Sequence, residues 1–197
     1  MKIIIFTGAP ASGKSTVAEA VSVRTGIRVV SKDECKIRLF EKYGFTSHDE
    51  KKALSIRGEE DMLSLVAETL VENHDIIIDN NFKDYDGLRR IIAKSGKECR
   101  VLCFVFEASG DILAERYNAR IRSGNRHTAL YCLNQYPVIE GITRFHPTIT
   151  EDDVKRIQNC IREETFGDAV YRINTDNIEH DFGSICDRIA TLIFQEF

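Results

Sequence analysis

The chain has 197 residues, of which 43% are hydrophobic and 29% are charged, and its formal net charge is -4. This length suffices for one α/β domain with a buried core, and the composition is that of an ordinary globular protein. The acidic balance argues against a protein that coats nucleic acid, although it does not exclude a local basic groove. No apolar run approaches the roughly 20 residues of a membrane span, so we expect no membrane partner.

The N-terminal apolar run and the cysteines indicate the compartment. The run is short and leads directly into a glycine-rich loop, which predicts a strand and not a signal peptide. The six cysteines are scattered and form no C-x-x-C pair. They indicate buried thiols in a reducing environment, and not a disulfide framework or a zinc site. We therefore expect a cytoplasmic protein.

The glycine-rich loop is the most informative stretch of the chain. It fits the P-loop pattern G-x-x-x-x-G-K-[ST], between a predicted strand at 2–7 and a predicted helix at 16–24, which is the context that the motif requires. Backbone N–H groups of such a loop form an anion cradle, while Lys14 can reach the β- and γ-phosphates and Ser15 can bind Mg²⁺. We predict that the whole loop binds a nucleoside triphosphate: Gly8, Ala9, Pro10, Ala11, Ser12, Gly13, Lys14, Ser15 and Thr16.

Strands and helices alternate along the rest of the chain. Apolar runs predict further strands at 27–30, 76–78, 99–106 and 169–173. Capping residues and apolar spacing predict helices at 31–43, 47–73, 84–94, 109–121, 150–164 and 176–193. Ser31 and Ser47 have capping-box spacing at the starts of the first two, and Gly58 suggests a bend in the second. This alternation predicts a parallel sheet of about five strands sandwiched by helices, with right-handed crossovers. With no linker or repeat in view, we predict one domain over 1–197 and a lid at about 116–147.

Ligands of such sheets bind at the carboxyl ends of the strands. The P-loop, Asp33 and Asp79 each follow a predicted strand, so we expect them to meet in one cleft. An arginine-rich segment at 116–126 is the fourth feature. Phosphoryl transfer needs such parts, because charge on the γ-phosphoryl group must be neutralised and the accepting hydroxyl needs a base.

Together these features resemble the P-loop kinases of the polynucleotide 5′-kinase and zeta-toxin group. A more distant similarity is to gluconate and shikimate kinases and chloramphenicol phosphotransferase. The resemblance covers about 1–126 and the last strand and helix. It implies a nucleoside-monophosphate-kinase-like P-loop NTPase fold with a helical lid. It also implies transfer of the γ-phosphate of ATP, with Mg²⁺, to a hydroxyl of a small molecule or to a polynucleotide 5′-hydroxyl.

The resemblance assigns roles on the acceptor side. Asp33, in Val-Ser-Lys-Asp-Glu after the second strand, matches the catalytic base of the family. Polynucleotide kinases contact an acceptor phosphate through Arg three residues later; Lys36 stands there, and Arg38 follows. Lys cannot make the bidentate phosphate contact, which weakens the case for a nucleic-acid acceptor. The alternative for Asp33 is a carboxylate that only stabilises the first turn of a helix.

The resemblance also assigns roles on the nucleotide side. Asp79 would hold Mg²⁺ and Asn81 would contact the acceptor, whereas the alternative is a plain Asx turn at the strand end. Arg116 and Arg120, four residues apart on one helical face, match the lid arginines that bind the donor phosphates. The alternative is a solvated basic helix. The loop at 174–176 would edge the adenine site.

Two other classes of function remain open. A P-loop ATPase or switch would need a group that polarises water, but no Glu follows Asp79. ATP is favoured over GTP, because the N-K-x-D guanine motif does not occur. A nucleic-acid-binding protein with a vestigial nucleotide site fits least, since the loop is intact. The acceptor itself stays open among polynucleotide ends, nucleosides, sugars and antibiotics.

Overall fold

The computed structural model describes residues 1–81, 85–163 and 165–195. The strands are β1 (Lys2–Gly8), β2 (Arg28–Ser31), β3 (Ile76–Asp79), β4 (Arg100–Glu107) and β5 (Ala169–Asn174). The α-helices are α1 (Lys14–Thr25), α2 (Lys32–Tyr43), α3 (His48–Val71), α4 (Asp86–Ser95), α5 (Gly110–Ser123), α6 (Glu151–Glu163) and α7 (Ile178–Gln195). A short 3-10 helix spans Thr128–Leu130.

The five strands form one parallel sheet in the order β2-β3-β1-β4-β5. Both of its faces are covered, as the isoleucine runs of β1 and β3 predict. Alternate side chains of β1 point to opposite faces, so Ile3 and Ile5 pack with α3 and α4, whereas Ile4 and Phe6 pack with α1 and α7. The predicted sandwich of helices around a parallel sheet is confirmed.

The strand order brings three chain segments to one edge of the sheet. Strand β1 lies between β3 and β4. The chain therefore leaves β1 toward β2 and leaves β3 toward β4, in opposite directions along the sheet, and a crevice forms between the carboxyl ends of β1 and β3. In register, Phe6 and Ser31 both pair with Asp79. The P-loop, the first turn of α2 and the end of β3 therefore lie side by side, as expected from the sequence.

The predicted lid at 116–147 consists of the C-terminal half of α5, the 3-10 helix and an irregular segment. The irregular segment is tied to the body, because the backbones of Phe45 and Tyr136 exchange two hydrogen bonds of 2.8 Å. Phe40 and Phe45 also form a buried cluster with Leu130 and Cys132. This arrangement places the 3-10 helix and residues 131–136 beside α2.

Helix capping follows the sequence only in part. Ser47 accepts a hydrogen bond from the Glu50 N–H at 3.2 Å, which confirms the predicted cap of α3. Ser31 occupies the N-cap position of α2, as predicted, but its side chain makes no capping hydrogen bond. The expected start of α4 at Asp84 and the expected end of α6 at Glu164 lie outside the described residues.

Gly58 in α3, at which the sequence suggests a bend, is the point where α3 meets α2. A Cβ there would lie 2.8 Å from Lys36 Cγ and 3.1 Å from Lys36 backbone N. Gly58→Ala is expected to destabilise the protein by about 1 kcal/mol net, because overpacking costs more than the better helix propensity of Ala returns. Urea unfolding measures the change. Gly183→Ala, in α7 with open space around it, should instead be stabilising, and equal effects would contradict the steric explanation.

Candidate functional site

Close contacts and a left-handed backbone explain the two fixed glycines of the P-loop. A Cβ at Gly8 would lie 2.5 Å from the Phe106 carbonyl oxygen, and one at Gly13 would lie 2.3 Å from Ile178 Cδ1. Gly13 also has a φ of 81°, in the left-handed region. It occupies the N-cap of α1, and no side chain caps that helix. The N–H groups at the start of α1 are therefore available to an anion.

A cavity of about 300 Å³ opens at the carboxyl edge of the sheet, beside the P-loop. Side chains from α2, the P-loop, the end of β3, α5 and the lid line it. The described lining residues are Pro10, Lys14, Ser15, Lys32, Asp33, Lys36, Asp79, Asn80, Asn81, Tyr117, Arg120, Arg126, Leu130, Tyr131 and His146. The structure thus brings together eight of the predicted site residues: Pro10, Lys14, Ser15, Asp33, Lys36, Asp79, Asn81 and Arg120.

Lys14 lies among charges of both signs. Loss of hydration lowers its pKa, the nearby Asp79 carboxylate raises it, and the guanidinium groups of Arg126 and Arg120 lower it. Lys14, Arg120 and Arg126 thus bring three cations together beside the P-loop, with Asp79 close to Lys14. Such a cluster gains stability when an anion such as a polyphosphate binds.

Asp79 and Ser15 fit a magnesium ion. Asp79 is 7% exposed, and its buried Oδ1 accepts no hydrogen bond from the described residues. A buried carboxylate oxygen without a hydrogen-bond partner is energetically unfavourable unless a ligand binds to it. Mg²⁺ is such a ligand, because it prefers carboxylate and hydroxyl oxygens. No cluster of three or more metal-binding side chains occurs in the described part of the chain. An ion held by Asp79 and Ser15 would therefore take its other ligands from phosphate oxygens and water.

Asp33 stands in the first turn of α2, where it faces two cations. Its Oδ1 accepts a hydrogen bond from Lys36 Nζ at 2.9 Å, and its Oδ2 forms an ion pair with Arg126 Nη2. The Asp33 side chain is 38% exposed, whereas those of Lys36 and Arg126 are 18% and 29% exposed. Each carboxylate oxygen of the predicted base is thus already bound to a cation from another part of the site.

The two asparagines after Asp79 hold the site together. Asn81 Oδ1 accepts a hydrogen bond from the Gly8 N–H at 3.0 Å, which ties the end of β3 to the start of the P-loop. Asn80 Nδ2 donates to Glu59 at 3.1 Å, and Glu59 in turn pairs with Lys32 at 2.6 Å. Asn81 lines the cavity, but its amide oxygen is used for positioning the loop.

Two predicted arginines lie outside the cavity. Arg116 donates to the carbonyl oxygens of Thr175 at 2.9 Å and Asp176 at 2.8 Å, and lines a neighbouring groove beside the loop after β5. Arg38 is 66% exposed and lies 4.0 Å from Glu34. Although Arg116 and Arg120 share a helical face, only Arg120 reaches the cavity, where its buried Nε finds no partner among the described residues.

His146 and Lys51 are parts of the site that the sequence did not reveal. Taken from its sequence alone, His146 is a loop histidine of the kind usually exposed, but it lines the cavity and its Nε2 lies 3.2 Å from Lys51 Nζ. Lys51 also donates to the carbonyl oxygens of Leu130 and Cys132. Burial is the main cause that lowers the pKa of Lys51 to about 8 and of His146 to about 4. No local pattern signals this contact, because 95 residues separate the pair.

The low pKa of His146 predicts a pH dependence of stability. Between pH 6.5 and 4 the unfolded chain binds a proton at His146 that the folded protein does not, so the free energy of unfolding falls as the pH falls. The contribution is at most about 3 kcal/mol. Urea unfolding at pH 7 and pH 4.5 should show a smaller fall for His146→Asn than for the wild type. The exposed His180→Asn should match the wild type, and equal falls in all three proteins would contradict this assignment.

Comparisons with known proteins show which family and which solved structures the chain resembles. The sequence matches the AAA domain family over residues 3–131. The structure of a candidate kinase from Chloroflexus aurantiacus has a TM-score of 0.78 at 21% identity, covering 100% of this chain and 98% of that chain. A shikimate kinase from Bacteroides thetaiotaomicron has a TM-score of 0.55 at 18% identity, with 97% of each chain covered. For a sugar kinase from Janibacter sp. the values are 0.53 and 14%, with 97% of this chain and 93% of that chain covered.

At these identities the structural likeness concerns the fold alone. It confirms the α/β fold of P-loop proteins of the nucleoside-monophosphate-kinase type. The matches support a P-loop kinase fold but do not single out the polynucleotide 5′-kinase and zeta-toxin group. No curated protein is detectably similar in sequence. Among the described residues, no helix is both long and apolar enough to cross a membrane.

Proposed function

Because the chain belongs to the AAA domain family, we propose that it is a P-loop kinase that transfers the γ-phosphate of ATP to a hydroxyl group. The observation that carries the proposal is the convergence on one cavity of Lys14, Asp33 and an Asp79 oxygen that has no partner among the described residues. A cavity of about 300 Å³ favours a small-molecule acceptor over a polynucleotide end. In this proposal residues 1–197 form a single kinase domain, with the lid at about 116–147.

The nucleotide would lie across two neighbouring surfaces. Its phosphates would occupy the P-loop at the N-terminus of α1, where N–H groups and Lys14 bind negative charge. Its base would extend toward the groove between α5 and the loop after β5. Arg116, Asp176 and Asn177 line that groove, and Arg116 fixes the loop by two hydrogen bonds. Arg116 thus shapes the nucleotide site without touching the γ-phosphate.

The chemistry follows from the residues around the cavity. Asp33 would accept the proton of the acceptor hydroxyl while the new bond from oxygen to phosphorus forms, and ADP would leave. Lys14 and Arg120 would neutralise charge on the transferring group. Mg²⁺, bound by Ser15 and Asp79 together with phosphate oxygens, would supply further positive charge. Asn81 would keep the P-loop aligned on the end of β3.

Nucleotide binding tests the proposal first. Wild-type protein should bind Mg·ATP in calorimetry and transfer phosphate, whereas Lys14→Ala should lose transfer with a smaller loss of affinity, because N–H groups still hold the phosphates. Lys52→Ala, at an exposed position on α3, is the matched control and should behave as wild type. The fold should survive in both variants. Wild-type protein that binds neither Mg·ATP nor Mg·GTP would end the proposal.

A further inference from the structure

The part of the cavity beyond the P-loop has its own charge pattern. We call it the acceptor end and define it as Lys32, Asp33, Lys36, Arg126 and His146. If Asp33 is the base, the hydroxyl that receives the phosphoryl group must lie here. The side chains at this end therefore determine which hydroxyl compounds bind.

Positive charge exceeds negative charge at the acceptor end. Glu59 forms an ion pair with Lys32 at 2.6 Å. Asp33 forms ion pairs with the two other cations, Lys36 and Arg126. A third cation, Lys51, lies directly behind His146. Loss of hydration is the largest cause that lowers the pKa values of Lys36, Lys51 and Arg126, while the Glu59 carboxylate acts in the opposite direction on Lys36.

The two cations compete with an acceptor hydroxyl for the Asp33 carboxylate. Each of its oxygens already accepts a hydrogen bond from one of them, so an incoming hydroxyl shares an oxygen with a cation or displaces that cation. Displacement by a neutral molecule would leave a largely buried cation without a counter-ion, which is unfavourable. A molecule that brings its own negative group would replace Asp33 as the partner of Lys36 and Arg126.

His146 adds a neutral hydrogen-bond donor to the same end. The Lys51 ammonium group has only donors, so His146 Nε2 must accept from it, and the ring proton is then assigned to Nδ1. The imidazole is consequently oriented by a lysine that is itself fixed by the Leu130 and Cys132 carbonyl oxygens. The Nδ1–H of His146 is the remaining polar group of the ring and is suited to an anionic ligand.

We infer that the acceptor carries a carboxylate or phosphate group beside the hydroxyl that is phosphorylated, and that this group takes Lys36 and Arg126 away from Asp33. The inference rests on the proposed function. It selects hydroxy acids and phosphate monoesters over neutral sugars and nucleosides. Cationic aminocyclitols are excluded, since they would meet like charges at Lys36 and Arg126.

Matched pairs of compounds test the inference. The two members of each pair differ mainly in the anionic group. The pairs are gluconate and glucose, glycerate and glycerol, and a nucleoside 3′-monophosphate and its nucleoside. Binding to protein saturated with Mg²⁺ and a non-hydrolysable ATP analogue is measured by calorimetry, and transfer by mass spectrometry of the acceptor. The pair with the largest difference distinguishes a carboxylate from a phosphate. We expect the anionic member of at least one pair to be favoured roughly 10- to 100-fold.

Variants separate this inference from a general loss of structure. Lys36→Gln should remove most of the preference while Mg·ATP binding persists. Arg126→Gln should also remove it, with some loss of ATP affinity because Arg126 lies near Lys14. Lys42→Gln on α2 and Arg122→Gln on α5 are exposed controls that should keep it. Equal or better binding and transfer for the neutral members, or no binding by any anionic member, would overturn the inference and leave the kinase proposal standing. A protein that does not bind the ATP analogue would refute the kinase proposal itself.

Discussion

Arg120→Ala is expected to lower kcat for phosphoryl transfer by about 10³-fold or more, with a much smaller change in the KM for ATP. Arg120 lines the same cavity as Lys14 and Asp33, and its buried Nε has no partner among the described residues. It is thus free to bind the transferring phosphoryl group. An interaction made mainly in the transition state appears in kcat and not in ground-state binding.

Two other arginines of the same helix sharpen this test. Arg122→Ala, at an exposed position, should leave both constants unchanged. Arg116→Ala should raise the KM for ATP more than it lowers kcat, because Arg116 is bound to the loop after β5 and not to the cavity. Normal turnover in Arg120→Ala would place that side chain outside the reaction.

Asp33→Asn is expected to reduce transfer by about 10²- to 10⁴-fold, which is the usual contribution of a general base. Asn keeps the size and the hydrogen-bonding capacity of the side chain but cannot accept the proton. ATP binding should remain near normal, because Asp33 lies beyond the P-loop. The fold should persist, since Asn is tolerated near a helix N-terminus and its amide oxygen can still accept a hydrogen bond from Lys36 or Arg126.

The neighbouring Glu34 provides the control for Asp33. Glu34→Gln removes one negative charge from the same turn of α2, but the Glu34 side chain is 64% exposed and faces Arg38. Transfer should then be unaffected. A carboxylate that only stabilises the helix terminus would make Asp33→Asn as mild as Glu34→Gln. Full activity in Asp33→Asn would show that another group is the base.

The sheet and the phosphate loop could be predicted because their signals are local. Isoleucine runs at 3–5 and 76–78 can only be strands buried on both faces, and all six side chains are fully buried. The P-loop is recognisable because its fixed residues lie close together in the sequence. Even Asp79 could be placed at the correct edge, since the end of a parallel strand is a position that the topology fixes.

The acceptor end could be predicted only in part: Asp33 and Lys36 are close in the sequence, whereas its other contacts join residues that are distant in the sequence. Lys51 meets His146 across 95 residues, and Arg126 meets Asp33 across 93. Helical spacing correctly put Arg116 and Arg120 on one face. It does not reveal that Arg116 is hydrogen-bonded to the loop after β5. The side chain of Ser31 was expected to cap α2 and does not, since capping spacing is only a tendency.

The transfer of labelled γ-phosphate from ATP tests the central claim most directly. Wild-type protein with Mg²⁺, an acceptor panel and an ATP-alone control should produce a phosphate monoester on the acceptor. The product should disappear with EDTA and fall strongly in Asp33→Asn. Label that appears only as inorganic phosphate, at a rate that no acceptor changes and that is equal in wild type and Asp33→Asn, would contradict a kinase and indicate an ATPase.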